Sequence, residues 1–508
     1  MSKLCGAILL MTTLISAVMA SGEPEVPNIA WLHTVGLGND DWAGGIAFDP
    51  AGAIYVAGGS TSLYEQYDIT GYVGAILVKL NASGELQWTV LWGSGEGMRV
   101  AVDPEGNVLL AGHTGPNSFM PSTEAFLARF NSAGFLQWDT VWGTPGTLGW
   151  IDGWYMEGLA VDAYGNAYVS GTASYPPEYA FLCKFDSAGD LDWSRVWNYA
   201  NMSSGASSVA VDSGGNIYVA GYTGNSAFLT RFNSNGVSQW SRVLGEDELQ
   251  VRIREIALDA LGNIYGAADS ELWTGPNELN SSHVFLAKFG PNGSKYWAKT
   301  LGTGAAADLV YGLAINARGD PHLVGDRWIS IVEGQKDLFL AKFASDGELY
   351  WDIGRFGRCF LEHTYCGVHS VGVAVDPSGD IYLGGTVDNT LPEAYPPTNL
   401  SAVVTDSNIA MNDLPPVMRE PGFVPKHPTS RTVSVDFGLD GSSRNEIFVV
   451  KLQEHAAVTP ATTVATETTQ TSSIIIAPIP LLGFPAILIA ILVGLFVVAR
   501  RWRRKGAH

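Results

Sequence analysis

Basic side chains are scarce in this chain: 29 Lys and Arg stand against 50 Asp and Glu, a formal net charge of −21. A nucleic-acid partner needs clustered Lys and Arg to neutralise phosphates, so that class of partner is excluded. Charge of either sign is thin, at 16% of residues, where an average globular chain carries about a quarter. Four cysteines in 508 residues do not make a disulfide-dense scaffold. Gly-x-Ser-x-Gly, His-Glu-x-x-His and phosphate-binding glycine motifs are also missing. Each fixes a nucleophile, a metal or a phosphate by its spacing, so no familiar catalytic signature is present. What the chain does have is 59 Gly and 16 Trp, a composition suited to many tight turns and bulky residues on strand faces.

The two ends read as export and anchoring signals. Lys3, the apolar run Leu4 to Val18 and the small residues of Val18-Met19-Ala20 make residues 1–20 a signal peptide. Residues 474–499 hold no charge over 26 positions, longer than the roughly 20 needed to cross a bilayer as a helix. Arg500, Arg501, Arg503, Arg504 and Lys505 follow at once, in a basic tail of residues 500–508. Positive charge stays cytoplasmic, which predicts one C-terminal transmembrane helix with the N-terminal portion outside at the cell surface. Without Lys3 and those five residues, 23 basic groups face 50 acidic ones, about −27 for the exposed part. Residues 456–473 are rich in Thr and Ser, lack aromatics, and read as an unfolded, O-glycosylated stalk.

Between these ends one block recurs at intervals of 47 to 60 residues. It is an apolar strand, an Asp-x-x-Gly-Asn type of turn and a second strand. The copies are Ile46 to Gly58, Val100 to Gly112, Leu159 to Gly171, Val209 to Gly221, Ile256 to Ala268, Leu313 to Gly325 and Val373 to Gly385. Gly and Asn tolerate positive φ and Asp bonds its own turn, so each block is a hairpin. A second hairpin follows, ending in Trp88, Trp138, Trp193, Trp240, Trp297 or Trp351. Six tryptophans follow seven blocks. The seventh, Trp31, lies in Ile29 to Gly36, ahead of the first block, while the last block stops at Ile447 to Leu452.

Four antiparallel strands cannot bury both faces of their sheet alone, but radial packing about an axis solves that. The pattern predicts an all-β, seven-bladed β-propeller of four-stranded antiparallel blades over residues 28–453. It is closed by the N-terminal strand joining the last blade, so no open edge remains. A 387–445 insertion rich in Pro and polar residues interrupts that last blade. These repeats resemble the SBBP repeat family of seven-bladed propellers found on prokaryotic secreted and surface proteins. The resemblance implies fold more than activity, since propellers host binders, scaffolds and enzymes alike. The segment Pro478 to Pro485 is similar to C-terminal anchors of archaeal surface proteins.

Turns joining strands one to two and three to four nearly repeat, whereas the opposite connections vary widely, so ligand contacts are expected on the variable face. It gathers Trp42, Tyr64, Tyr67, Tyr72, Trp150, Trp154, Tyr155, Tyr175, Trp273 and Trp328. Asp40, Asp41, Asp152, Glu246, Asp247 and Glu362 lie nearby in sequence. Aromatics beside carboxylates suit sugar stacking or protein contact. The block tryptophans are read as inter-blade packing. A tryptophan in a similar place occurs in quinone-dependent dehydrogenase propellers, but the central cofactor constellation those enzymes need is not read here.

Cys359 and Cys366 are expected as a disulfide across a short loop outside the cytoplasm. Glu362, His363 and His369 nearby do not complete a zinc spacing. Cys183 stands where Ala128, Ala287 and Ala341 stand in matching strands, and is expected to be a buried apolar residue. Sequons at Asn81, Asn201, Asn280, Asn292 and Asn399 are candidate glycosylation sites. No cofactor is expected. For calcium, the hairpin turns are too short, and Asp436, Asp440, Asn445 and Glu446 are a weak alternative. The preferred functional expectation is a cell-surface binding or scaffold module for carbohydrate or protein partners. The alternatives are an extracellular glycosidase or lyase using carboxylates of the same face, and a structural envelope component.

Overall fold

The computed structural model describes residues 27–35, 40–61, 74–92, 95–114, 124–142, 154–173, 177–245, 250–271, 282–301, 308–330, 335–356, 368–388 and 445–453. Within them lie seven four-stranded antiparallel sheets. Six are built from consecutive strands, and the seventh has the order Asn28–Val35, Asn445–Gln453, Ile381–Asp388, Val368–Val375. The expected closure is present, with Ile29 paired to Leu452 and Val35 to Ile447. The propeller insertion begins and ends inside strands, since these continue to Asp388 and resume at Asn445.

Each hairpin turn forms for a local reason. In the first blade Asp49 Oδ1 accepts from the amides of Ala51 and Ala53, both at 2.9 Å, and Gly52 supplies φ of 85°. The Tyr55 hydroxyl donates to Asp49 Oδ2 at 3.1 Å. Tyr168, Tyr218 and Tyr382 repeat that bond to Asp162, Asp212 and Asp376. The turn thus nails the second strand to the first.

The core lies between blades rather than within them. Seven apolar clusters each draw on two neighbouring sheets, and one joins Ile54, Val56 and Val78 of the first blade to Ile447, Val449 and Tyr382 of the last. Burying one such side chain is worth about 1.5–3 kcal/mol, so every interface holds its blades and the ring is stabilised by closing.

The block tryptophans cross these interfaces. Trp88 Nε1 donates to the Ser132 carbonyl at 3.2 Å, and its ring lies on Gly134, whose φ is 83°. Trp138, Trp193, Trp240 and Trp297 repeat this toward Ser187, Ser234, Pro291 and Ser345. Trp31 covers Gly84 and so locks the last blade to the first. Trp351 faces the last blade, where the strands Asn28–Val35 and Asn445–Gln453 are not joined by a hairpin turn, and its Nε1 has no hydrogen-bond partner among the described residues.

Candidate functional site at the ring axis

Seven inner strands surround the axis: Asp41–Phe48, Gly95–Val102, Trp154–Val161, Ser204–Val211, Gln250–Leu258, Asp308–Ile315 and Val368–Val375. Each begins five or six residues before its sequence block, and each carries a one-residue bulge in that extra piece. The unpaired residues are Gly44, Met98, Glu157, Ser207, Arg254, Tyr311 and Val371. A bulge re-aims side chains, and bulges concentrate beside functional sites.

Immediately after each bulge stand Gly45, Arg99, Gly158, Ser208, Glu255, Gly312 and Gly372. Glycine there lets inner strands close up: a Cβ at Gly312 would come within 2.8 Å of the Val373 nitrogen. Arg99 of the second blade reaches Glu255 of the fifth, three places round the ring, with Nη2 to Oε2 at 3.9 Å. Its Nη1 donates to the Gly44 and Met98 carbonyls, both at 3.1 Å. Ser208 Oγ donates to Glu255 Oε1 at 2.5 Å. Burial raises the Glu255 carboxyl above the ordinary range, against the opposing pull of Arg99 and Ser208. The axis is therefore spanned at this depth by the Arg99–Glu255 pair.

Above that bridge, toward the variable face, the residue following each block comes into play: Gly59, His113, Thr172, Tyr222, Asp269, Asp326 and Thr386. Arg254 Nε donates to both oxygens of Asp269, at 3.1 and 2.8 Å. Thr172 Oγ1 donates to Glu157 Oε1 at 2.9 Å. His369 Nδ1 lies 3.2 Å from Asp326 Oδ2. Arg252 stacks over Tyr222, which donates to Glu178 at 2.9 Å. His113 and Glu96 lie 3.7 Å apart, and burial lowers the histidine despite that carboxylate. Glu157, Arg254 and Tyr311 are the bulge residues of the third, fifth and sixth inner strands, and against the cost of burial the Asp269 and Glu157 carboxylates hold the Arg254 guanidinium protonated. Burial and then the Asp326 carboxylate push Tyr311 well above the usual tyrosine range, so it stays a protonated donor.

No protein-family profile matches the chain, and no curated protein sequence does. Among solved structures, an ulvan lyase representing a polysaccharide lyase family gives a TM-score of 0.44 at 11% identity, over 70% of this chain and 93% of that one. A Dyadobacter fermentans protein of unknown function gives 0.43 at 8% identity, over 84% and 99%. A Bacteroides caccae protein of unknown function gives 0.37 at 13%, over 56% and 92%. The seven-bladed fold rests on this chain's own strand pairing.

Of the expected face residues, Asp41 is buried at the start of the first inner strand, and the half-buried Trp42 ring lies against Gly59. Asp40 is exposed just before them. The backbones of Trp154 and Tyr155 open the third inner strand, and Trp328 sits in the second strand of blade six. Tyr64, Tyr67, Tyr72, Trp150, Asp152, Tyr175, Glu246, Asp247, Trp273 and Glu362 lie outside the described residues, as do Cys359, Cys366, His363, Asn280, Asn399, Asp436 and Asp440. So do the signal peptide, stalk, span 474–499 and basic tail. Among the described residues no helix is long and apolar enough to cross a membrane, and no three His, Cys, Asp or Glu side chains group around a metal position. Cys183 is buried as expected, and burial pushes its thiol up to about 12.

Three sequons fall in described turns. Asn81 Oδ1 accepts from the Ser83 and Glu85 amides, as Asn131 and Asn233 do in sister turns without a sequon. Turn chemistry therefore accounts for Asn81. Asn292 caps its turn likewise through Ser294, while Asn201 is exposed at φ 60° in a tight turn.

Proposed function

We propose that the chain is an SBBP-type surface protein, exported and membrane-tethered, whose propeller recognises carbohydrate at the axial cup on its variable face. The observation that carries this reading is the convergence of Glu157, Arg254 with Asp269, Tyr311, and His369 with Asp326 above the Arg99–Glu255 bridge. A closed-floored cup lined with fixed polar donors and acceptors suits a hydroxyl-rich ligand, which is bound through many directed hydrogen bonds. Trp42, beside the glycine floor of blade one, offers an aromatic surface on the same ring. The reading takes localisation from the signal peptide, Thr/Ser stalk, apolar span and basic tail, and needs no cofactor or metal. Glycosylation is assigned to Asn201 ahead of Asn81.

Recognition is preferred to turnover because the acids nearest the cup are committed to arginine, histidine or threonine and the phenol stays protonated. A carbohydrate-active enzyme remains the rival, with Glu157 as its candidate proton carrier among the described residues. A glycan array probed with the purified full chain tests both. Binding to a defined set of oligosaccharides without cleavage is expected. No binding by the folded chain would overturn the proposal, and product release abolished by Glu157→Gln would favour the rival.

A further inference from the structure

The cup has an inner and an outer layer. Asp269 and Asp326 are 2% and 1% exposed, whereas the side chains they support, Arg254 and His369, are 35% and 51% exposed. Tyr311 is 37% exposed. The carboxylates sit behind and the donors sit in front.

Arg254 is held on one edge only. Its Nε is spent on Asp269, while Nη1 and Nη2 make no hydrogen bond among the described residues. The Tyr311 hydroxyl likewise has no hydrogen-bond partner among them, and Tyr311 is the bulge residue of the next inner strand, as Arg254 is of its own. Two parallel N–H groups on a planar, fixed guanidinium match the two oxygens of a carboxylate, and a nearby O–H can add a third bond. Support by a buried acid preorganises the fork, so less side-chain entropy is lost on binding.

Resting on the carbohydrate reading above, we propose that the cup selects acidic sugars, docking a uronate carboxylate on Arg254 Nη1 and Nη2 with Tyr311 Oη as the third donor. The net negative charge of the chain opposes approach at long range. It is screened beyond roughly 8 Å at physiological salt, whereas the fork acts at contact.

The test compares uronate oligosaccharides with the same oligosaccharides after carboxyl reduction, by calorimetric titration of the full chain. At least a tenfold tighter Kd for the acidic form is expected. Arg254→Gln should remove that preference, bringing the Kd for the acidic form to that for the reduced form, with a far-UV spectrum like the parent's showing that the variant is folded. Arg254→Lys should recover part of it, and Tyr311→Phe should weaken the acidic form several-fold. Equal binding of acidic and reduced oligosaccharides would overturn the proposal and leave carbohydrate recognition standing. Binding of neither would overturn both. A preference that survives Arg254→Gln in a folded variant would place the carboxylate elsewhere and overturn the assignment.

Discussion

Asp308 carries a pH signature at the scale of a single residue. Its side chain is 2% exposed and meets Arg327 at 3.2 Å, and Arg327 also meets Asp352 at 3.2 Å. Burial, reinforced by Asp352 and opposed by Arg327, pushes the carboxyl up to about 6 from 3.8. Between those values the folded chain holds a proton that the unfolded chain has released, so stability falls as pH rises through about 4 to 6. The full shift corresponds to a loss on the order of 3 kcal/mol. Asp308→Asn should flatten that slope in melting curves taken at pH 4.5 and 7; a variant as pH-dependent as the parent would refute the assignment. Glycine 221 gives a second test. A Cβ there would overlap the Gly205 carbonyl, whereas at Gly266 the nearest atoms are at 3.9 Å. Gly221→Ala should cost about 1–3 kcal/mol or more by denaturant midpoint, and Gly266→Ala much less; equal costs would contradict this packing.

The strand Asn28–Val35 is the element on which closure depends. Trp31 covers Gly84 and Val35 joins the core shared by the first and last blades. Trp31→Ala should cost about 3 kcal/mol. Deleting residues 28–35 should expose the Asn445–Gln453 edge and cause self-association, relieved by adding the missing strand as a peptide; a monomeric, equally stable deletion would count against closure by this strand. This element was legible in the sequence because a displaced tryptophan strand is conspicuous beside six regular ones. The candidate site was not. Its residues flank the repeated block on both sides: Arg254 and Glu255 immediately precede Ile256, and Asp269 immediately follows Ala268. The apolar repeat marks what packs between blades, and its edges look like loop onset. The bulge that turns those edges inward leaves no local signature, so attention falls on loop aromatics instead. One signal was available: the residue after the block runs Gly59, His113, Thr172, Tyr222, Asp269, Asp326 and Thr386, chemically diverse beside a nearly constant neighbour.

At the scale of the whole molecule, 50 acidic groups against 29 basic ones repel one another in the compact state. Raising salt from 10 to 150 mM shortens the screening length from about 30 to about 8 Å. The melting temperature should therefore rise by a few degrees; a fall would mean that paired charges such as Arg129 with Asp103 outweigh the general repulsion.

The strand Asn445–Gln453 is clasped on both sides, by Ile381–Asp388 and by Asn28–Val35. Tension entering at Gln453 therefore runs along a strand seated in the middle of its sheet. The load is shared in shear by two ladders at once, where an edge strand would peel one bond at a time. A propeller pulled from this end resists as a clamp, and the first thing tension must break is the joint that also makes the ring.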